Sequence, residues 1–283
     1  MTLEGREPRA VLVTGASSGI GAATVAALAR RGFVVFAGVR NDADARAAAL
    51  GPRVIPVLLD VTDAAAIAGA LDTIRAHGAA LHAVVNNAGI AVAGPLESVS
   101  AAELRRQFET NVIGPVAVAQ AFLPMLRARR GRLAFVGSIS GRIAFPFIAP
   151  YSASKFALRA IADAWRVELR PLGVRVALVE PGSVRTPIWA KGRDRAAELF
   201  ARLPSDAPPH YRRALEAVLA QTEREERSGM SPERVAATIV HAVSAKHPKA
   251  RYLVGAPARL GSLLALLPPA LHDRFVAASL RLE

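Results

Sequence analysis

The stretch Ala10-Val11-Leu12-Val13-Thr14-Gly15-Ala16-Ser17-Ser18-Gly19-Ile20-Gly21 decides the fold. Its first half is a short apolar run, the pattern of a buried strand. Its second half is a glycine turn, from which an alanine-rich helical pattern runs to Arg31. Strand, turn and helix in immediate succession give these glycines a physical meaning. Gly15 suits the tight turn, and Gly19 lets backbone approach a pyrophosphate. Gly21 lets the helix pack close to the strand, so that helix amides and dipole face an anion. The spacing is GxxxGxG, not GxGxxG. A dinucleotide site is expected, with Ser17, Ser18 and Ile20 inside its turn.

Beyond Gly32, Phe33 to Val39 reads as a second strand that ends on Arg40. In a dinucleotide fold this strand end faces the adenosine ribose, where an acid would hold the 2′-hydroxyl and repel a 2′-phosphate. A guanidinium suits the phosphate instead. Asp42 and Asp44 come later, at a helix start, where capping accounts for them. NADP(H) is therefore favoured, with NAD(H) the alternative.

The rhythm repeats. Further strands are expected at Arg53 to Leu59, Leu81 to Val85, Arg132 to Val136, Val174 to Val179 and Arg251 to Val254. Helical patterns lie between them, one from Asp63 to His77. Another runs from Ala101 to Arg130, with Pro115 forcing a kink or break after Asn111. This alternation predicts a single α/β domain over 1–283, a doubly wound, seven-stranded parallel sheet with helices on both faces. Its ligands would bind beyond the carboxyl ends of the strands. Every polar signal sits at such an end: Asp60-Val61, Asn86-Asn87-Ala88-Gly89, Ser138, and Pro181-Gly182.

After Pro146 and Pro150 comes Tyr151-Ser-Ala-Ser-Lys155. It puts a phenol and an ammonium four residues apart, on one helix face. The positive charge favours the phenolate and should lower a phenol pKa that is normally about 10. Such a tyrosine can exchange a proton with an alcohol oxygen near neutral pH. Residues 183–230 break the rhythm with charged helical stretches and prolines, and are expected to form a lid over the ligand face. The apolar tail, 260–283, is read as packing on the domain; a pocket cap, a subunit contact and a membrane-surface contact are its alternatives.

Composition bounds the function. The 283 residues contain 52% apolar side chains, no cysteine and a net charge of +13. Disulfides, thiolate nucleophiles and cysteine-bound metals are excluded. The denser basic groups, Arg127/Arg129/Arg130/Arg132 and Lys191/Arg193/Arg195, lack the interleaved aromatics of a base-stacking platform. They read as solvated helix faces, and no nucleic-acid partner is expected. No apolar run reaches the roughly 18 residues of a spanning helix, and the polar start lacks a signal-peptide core. A cytoplasmic protein is expected.

Together these motifs resemble the short-chain dehydrogenase/reductase family over about residues 9–255. The resemblance rests on Thr14 to Gly21, Asp60-Val61, Asn86 to Gly89, Asn111, Ser138, Tyr151 to Lys155 and Pro181-Gly182. It implies that Tyr151 is the acid/base at the carbonyl oxygen, that Ser138 hydrogen-bonds that oxygen, and that Lys155 binds the nicotinamide ribose. It further implies that Asn111 holds a water joining Lys155 to solvent, that hydride passes directly between nicotinamide and substrate carbon, and that no metal takes part. Asp60 and Val61 would sit at the adenine and Asn87 near its ribose, with Ala88 and Gly89 beside it. Pro181, Gly182, Val184 and Thr186 would lie along the nicotinamide. His82 departs from the usual family pattern, at a packing position. Arg40 and the long 183–230 segment also look like the branch acting on steroid-, retinoid- or aryl-ketone-like alcohols and ketones. Phe145, Phe147, Ile148, Ile188 and Trp189 would then wall an apolar pocket. A homodimer or homotetramer built on the Asn111 and Tyr151 helices is implied. The competing readings are a cofactor-binding regulator or scaffold without turnover, and epimerisation or dehydration on the same fold.

Overall fold

A computed structural model of the chain describes residues 9–48, 51–188, 190, 197, 198, 200, 201 and 209–279. The strands are β1 (Arg9–Thr14), β2 (Val34–Val39), β3 (Val54–Leu58), β4 (Ala80–Asn86), β5 (Arg132–Val136), β6 (Arg175–Pro181) and β7 (Arg251–Val254). They form one parallel sheet in the order β3-β2-β1-β4-β5-β6-β7. The expected doubly wound Rossmann sheet is the observed one.

Alternation along each strand builds two cores. Val11 and Val13 of β1 face one side, where α1 (Gly19–Arg30) and α8 (Pro232–Ser244) supply Val25, Leu28, Val235, Ile239 and Val243. Ala10 and Leu12 face the other, against α3 (Ala64–His77), α5 (Gly114–Ala128) and α6 (Ala149–Glu168) with Ile74, Phe122, Leu126 and Leu158. Both faces are covered, which is why the strands read as continuous apolar runs. Each fully buried Leu or Phe contributes roughly 1.5–3 kcal/mol.

Local chemistry sets the helix ends. Asp63 caps α3 by accepting from the Ala65 amide at 2.8 Å. Ser100 and Glu103 form a reciprocal capping box at the start of α4 (Ala101–Phe108). The cap of α2 (Asp42–Ala48) is Asn41 rather than either aspartate: its Oδ1 accepts from the Asp44 amide at 2.9 Å. Asp44 returns the bond, accepting from Asn41 Nδ2 at 3.2 Å.

Pro115 does not break its helix. Residues Glu109–Ile113 form one π turn that joins α4 to α5, and the Gly114 N–H donates to the Glu109 carbonyl, five residues back. Proline has no N–H to give to Asn111, its α-helical partner. The wider turn absorbs that mismatch. His82, the departure noted in the sequence, packs as expected. Its Nε2 lies 3.1 Å from the Val243 carbonyl, and burial, then Arg9 and Arg132, lower its pKa.

The segment after β6 leaves the sheet and returns to the same place. Met230 N donates to Ser183 O at 3.1 Å, and Arg185 N to Met230 O at 3.0 Å. Within it, α7 (Pro209–Ser228) is described, whereas Trp189, Lys191, Arg193 and Arg195 lie outside the described residues. At the C-terminal end, α9 (Ala256–Leu264) turns Ala258 and Gly261 inward, the latter against Ile139. Leu260, Leu263 and Leu266 face outward, as do Leu271 and Phe275 of α10 (Pro269–Ser279). Among the described residues, no helix is long and apolar enough to cross a membrane.

Candidate active site

From β1 the sheet grows in one direction through β2 and β3, and in the other through β4 to β7. A crevice opens at such a switch point, beyond the carboxyl ends of the strands. Here it is a cleft of about 700 Å³. Of the catalytic and cofactor-binding residues expected from sequence, all line it except Gly21 and Asn111.

The glycine turn forms its floor. Gly15 has a φ of 63°, and a Cβ on Gly21 would lie 2.0 Å from the Gly15 carbonyl oxygen. Helix α1 therefore starts in direct contact with the turn. Ser18 precedes it without a side-chain cap bond, so the first amides remain for a ligand. Thr14 is the hub below. Its Oγ1 accepts from the Asn87 and Ala88 amides, both at 3.0 Å. Asn87 Nδ2 in turn donates to the Thr14 and Gly15 carbonyls at 3.0 Å. The side-chain amide of Asn87 thus fastens β4 to the turn. Arg40 stands exposed at the rim after β2. At the end of the neighbouring β3, Asp60 Oδ1 accepts from the Thr62 amide at 2.9 Å and the Thr62 hydroxyl at 2.7 Å.

Tyr151 and Lys155 occupy the first two turns of α6 and are 7% and 6% exposed. Lys155 Nζ donates to the Val136 carbonyl at 2.9 Å and lies 5.6 Å from the centre of the Tyr151 ring. Burial lowers its pKa from 10.5 to about 8. The lysine is still mostly an ammonium at neutral pH, held in a poorly solvated place where its charge acts strongly. Ser138 Oγ accepts from the Ser140 amide at 3.1 Å, which orients it and leaves its own proton to donate. Ser140 is buried and does not reach the cleft.

Asn111 stands behind the cleft, fully buried. Its Oδ1 accepts from Ile90 N at 2.9 Å, and its Nδ2 donates to Ile90 O at 3.0 Å and Ser154 Oγ at 3.1 Å. Its side chain is thus committed to the 87–92 loop, and its backbone carbonyl is the atom that Pro115 leaves without an α-helical donor. Gln107, one turn earlier, does the same work: Oε1 accepts from Val92 N at 2.7 Å, and Nε2 donates to Ile90 O at 3.0 Å. Gln107 and Ser154 escaped the sequence reading. The available signal was spacing, since Gln107 and Asn111 are i,i+4 neighbours on the face that continues into Pro115, Val118 and Phe122.

A buried ion pair went equally unread. Arg142 donates from Nε to Glu180 Oε1 at 2.8 Å and from its Nη2 to Oε2 at 2.6 Å. It ties the 3-10 turn Ile139–Gly141, which follows Ser138, to the end of β6 just before Pro181. Of the expected apolar walls, Ile188 borders the cleft. Phe147 instead packs with Phe200 and Tyr211, each at 6.2 Å between ring centres, and Phe145 and Ile148 do not line the cleft.

A doubly wound sheet with a glycine turn, and a cleft shared by that turn with a serine, a tyrosine and a buried lysine, is the layout of a nicotinamide-dependent oxidoreductase. The chain belongs to the short chain dehydrogenase family, whose model matches residues 9–197. It is 35% identical over 292 residues to an NADPH-dependent 3-dehydrocapnine reductase of Ornithobacterium rhinotracheale, covering 96% of this chain and 98% of that one. It is 34% identical over 270 residues to retinol dehydrogenase 5 of Mus musculus, covering 92% and 85%. Among solved structures, a short chain dehydrogenase/reductase from Burkholderia phymatum in complex with NAD is similar with a TM-score of 0.76 and 25% identity, covering 91% and 92%. The protein is an oxidoreductase of this family, an enzyme of hydride transfer on small substrates.

Proposed function

We propose that the enzyme passes hydride between NADP(H) and a hydrophobic secondary alcohol or ketone, with Tyr151 as the acid/base. The observation that carries this reading is Lys155, a buried ammonium one helical turn from a tyrosine that faces the same cleft as the glycine turn. The residues fit the cofactor. Uncapped α1 amides and the Gly15-to-Gly21 turn suit a pyrophosphate, and Arg40 suits a 2′-phosphate. Asp60 and Val61 would flank the adenine, and Pro181, Gly182, Val184 and Thr186 the nicotinamide. Once bound, the nicotinamide supplies or accepts the hydride.

In reduction, Tyr151 gives its phenolic proton to the substrate oxygen as that oxygen gains charge. Ser138 donates a hydrogen bond to the same oxygen and fixes its position. The Lys155 ammonium stabilises the phenolate left behind. A water on the Asn111 carbonyl would pass a proton from solvent through Lys155 to restore the phenol. In oxidation the same steps run backwards.

The retinol dehydrogenase relative and Pro187 and Ile188 at the cleft support a lipophilic substrate. So does the excursion at 183–230, which we read as a lid: its Phe200 and Tyr211 pack on Phe147. Ile113, Phe156 and Val167, exposed by 40–68% on the π turn and α6, support a homo-oligomer built on these helices. NADPH consumption across steroid, retinoid, aryl and small polar ketones tests the substrate class. Turnover is expected with a lipophilic member, and turnover with the polar ketones alone would reject it.

Arg40→Asp tests the cofactor. The variant should lose one charge-assisted interaction, about 1.5–3 kcal/mol, and so shift the NADPH/NADH preference by about 10–100-fold toward NADH. An unchanged ratio of kcat/KM values would remove Arg40 as the phosphate reader.

A further inference from the structure

The amino ends of the strands carry a second concavity, on the edge of the sheet away from the cleft. Four strands open on arginine: β1 on Arg9, β5 on Arg132, β6 on Arg175 and β7 on Arg251. Below β5 and β6 lies a cavity of about 610 Å³. Its charged lining is Arg130, Arg132, Arg166, Arg170, Arg175 and Lys246, and no Asp or Glu lines it. Val174, Val176 and Pro248 add an apolar floor. β5 spans five residues, so this cavity lies roughly 15 Å from the carboxyl ends where the dinucleotide turn sits.

The cations come from separate parts of the chain. Arg130 and Arg132 leave the dense group after α5, Arg166 and Arg170 come from the end of α6 and its following turn, and Lys246 follows α8. Several are held in place. Arg132 donates to the Ala242 carbonyl at 3.1 Å, and Arg175 donates to the Lys246 carbonyl. Carbonyl dipoles orient a guanidinium without neutralising it. Arg130 adopts a φ of 47°, uncommon for a residue with a side chain. Its stem lies on Gly173, where a Cβ would approach its Cγ to 2.9 Å. The turn closes α5, with Gly131 N donating to the Leu126 carbonyl at 2.8 Å, and Arg130 lines the hollow.

Counter-charge is scarce. Asp163 pairs with Arg166, but it also holds Arg251. Arg130, Arg170 and Lys246 have no ion pair among the described residues. The repulsion is felt within the cluster: burial, then Arg175 and Arg9, push the Arg132 pKa below its ordinary value. Such a hollow gains from an anion with several charges. Guanidinium forks match phosphoryl oxygens two at a time, and the volume falls in the range of small-ligand sites. A single phosphate engages one or two of these groups, whereas two or three linked phosphoryl groups reach across them.

We propose that this cavity is a second ligand site, which binds a compact oligophosphate of two or three phosphoryl groups, free or as the tail of a nucleotide.

The test is calorimetric titration of inorganic triphosphate, and separately of ADP, into protein whose cleft is already saturated with whichever of NADPH or NADH binds. One site is expected to survive that saturation. Its affinity should fall by about tenfold or more in Arg170→Glu and in Arg130→Glu, since each removes a charge-assisted bond. Arg31→Glu, an equal charge change elsewhere on the surface, should leave it in place. Both cavity variants change exposed side chains, and unaltered dinucleotide binding shows that they fold. Equal affinity for triphosphate and ADP assigns the free oligophosphate; tighter ADP binding assigns the nucleotide. No binding beyond the cleft overturns the proposal, as does equal loss in all three variants. Single-stranded RNA that binds this cavity more tightly as it lengthens overturns it in favour of a nucleic-acid surface. None of these readouts depends on turnover, so the proposal fails or stands apart from the ketone reading.

Discussion

Tyr151→Phe is expected to lower kcat for carbonyl reduction by about 10²–10⁴-fold, the usual contribution of a positioned acid/base, with dinucleotide affinity nearly unchanged. The ring is 7% exposed, so phenylalanine keeps its packing and removes only the oxygen. Lys155 keeps its bond to the Val136 carbonyl, so the ribose side of the cleft is undisturbed. The loss should therefore fall on kcat rather than on binding, which separates a missing proton donor from a damaged pocket. In the parent enzyme the reductive rate should also decline as pH rises through about 8, where Lys155 loses the proton that stabilises the phenolate. Steady-state rates, together with fluorescence titration of the dinucleotide, check both points. A variant that keeps parental turnover would remove Tyr151 from the chemistry.

Gly21→Ala is expected to abolish dinucleotide binding in practical terms, by more than about 100-fold, and to lower the melting temperature by roughly 3–10 °C. The new methyl would lie 2.0 Å from the Gly15 carbonyl oxygen and 2.7 Å from Asn87 Nδ2. The first neighbour is backbone in a tight turn and cannot swing away. Overpacking of this kind costs about 1–3 kcal/mol, and each kcal/mol shifts the midpoint by about 2–4 °C in a domain of this size. The easier relaxation moves α1 away from the turn, which withdraws its first amides from the cleft. Differential scanning calorimetry and dinucleotide titration would show the two losses together. Parental values for both would refute the contact between α1 and the turn.

How far these features were legible in the sequence depends on their range along the chain. The glycine turn, the strands and the Tyr151–Lys155 pair are encoded within a dozen residues each, where period and steric demand speak directly. Residues at strand ends could be placed in one cleft because a parallel sheet puts all those ends together. What a side chain does at that place is a different matter. Asn87 stands at the cleft, but its amide secures Thr14 and Gly15. Asn111 lies behind the cleft, bonded to Ile90. These bonds span 21 to 73 residues, and no local pattern announces them. The same holds for the basic cavity. Arg130 and Arg132 read as part of a solvated helix end, because Arg166, Arg170, Arg175 and Lys246 join them only through the fold.

The π turn has a consequence for how this helix pair can change. The inward positions from α4 to α5 are Glu103, Gln107, Asn111, Pro115, Val118, Phe122 and Leu126. From Glu103 to Leu126 the chain advances 23 residues in six turns, whereas six ideal α turns advance about 21.6. One stripe stays on one face only because a single turn is oversized. The segment accepts exchanges of side chain at its outer positions, and at this turn it can also lose a residue. Deleting one residue between Asn111 and Pro115 would leave about 22, close to six ideal turns, so the wide turn could relax to an α turn with Phe122 and Leu126 still facing the core. Adding one without a second wide turn would rotate everything downstream by about 100°. Such a deletion would set the proline four residues after Thr110 instead of Asn111, so the wide turn serves the Asn111 carbonyl, while the core alone would tolerate a plain helix.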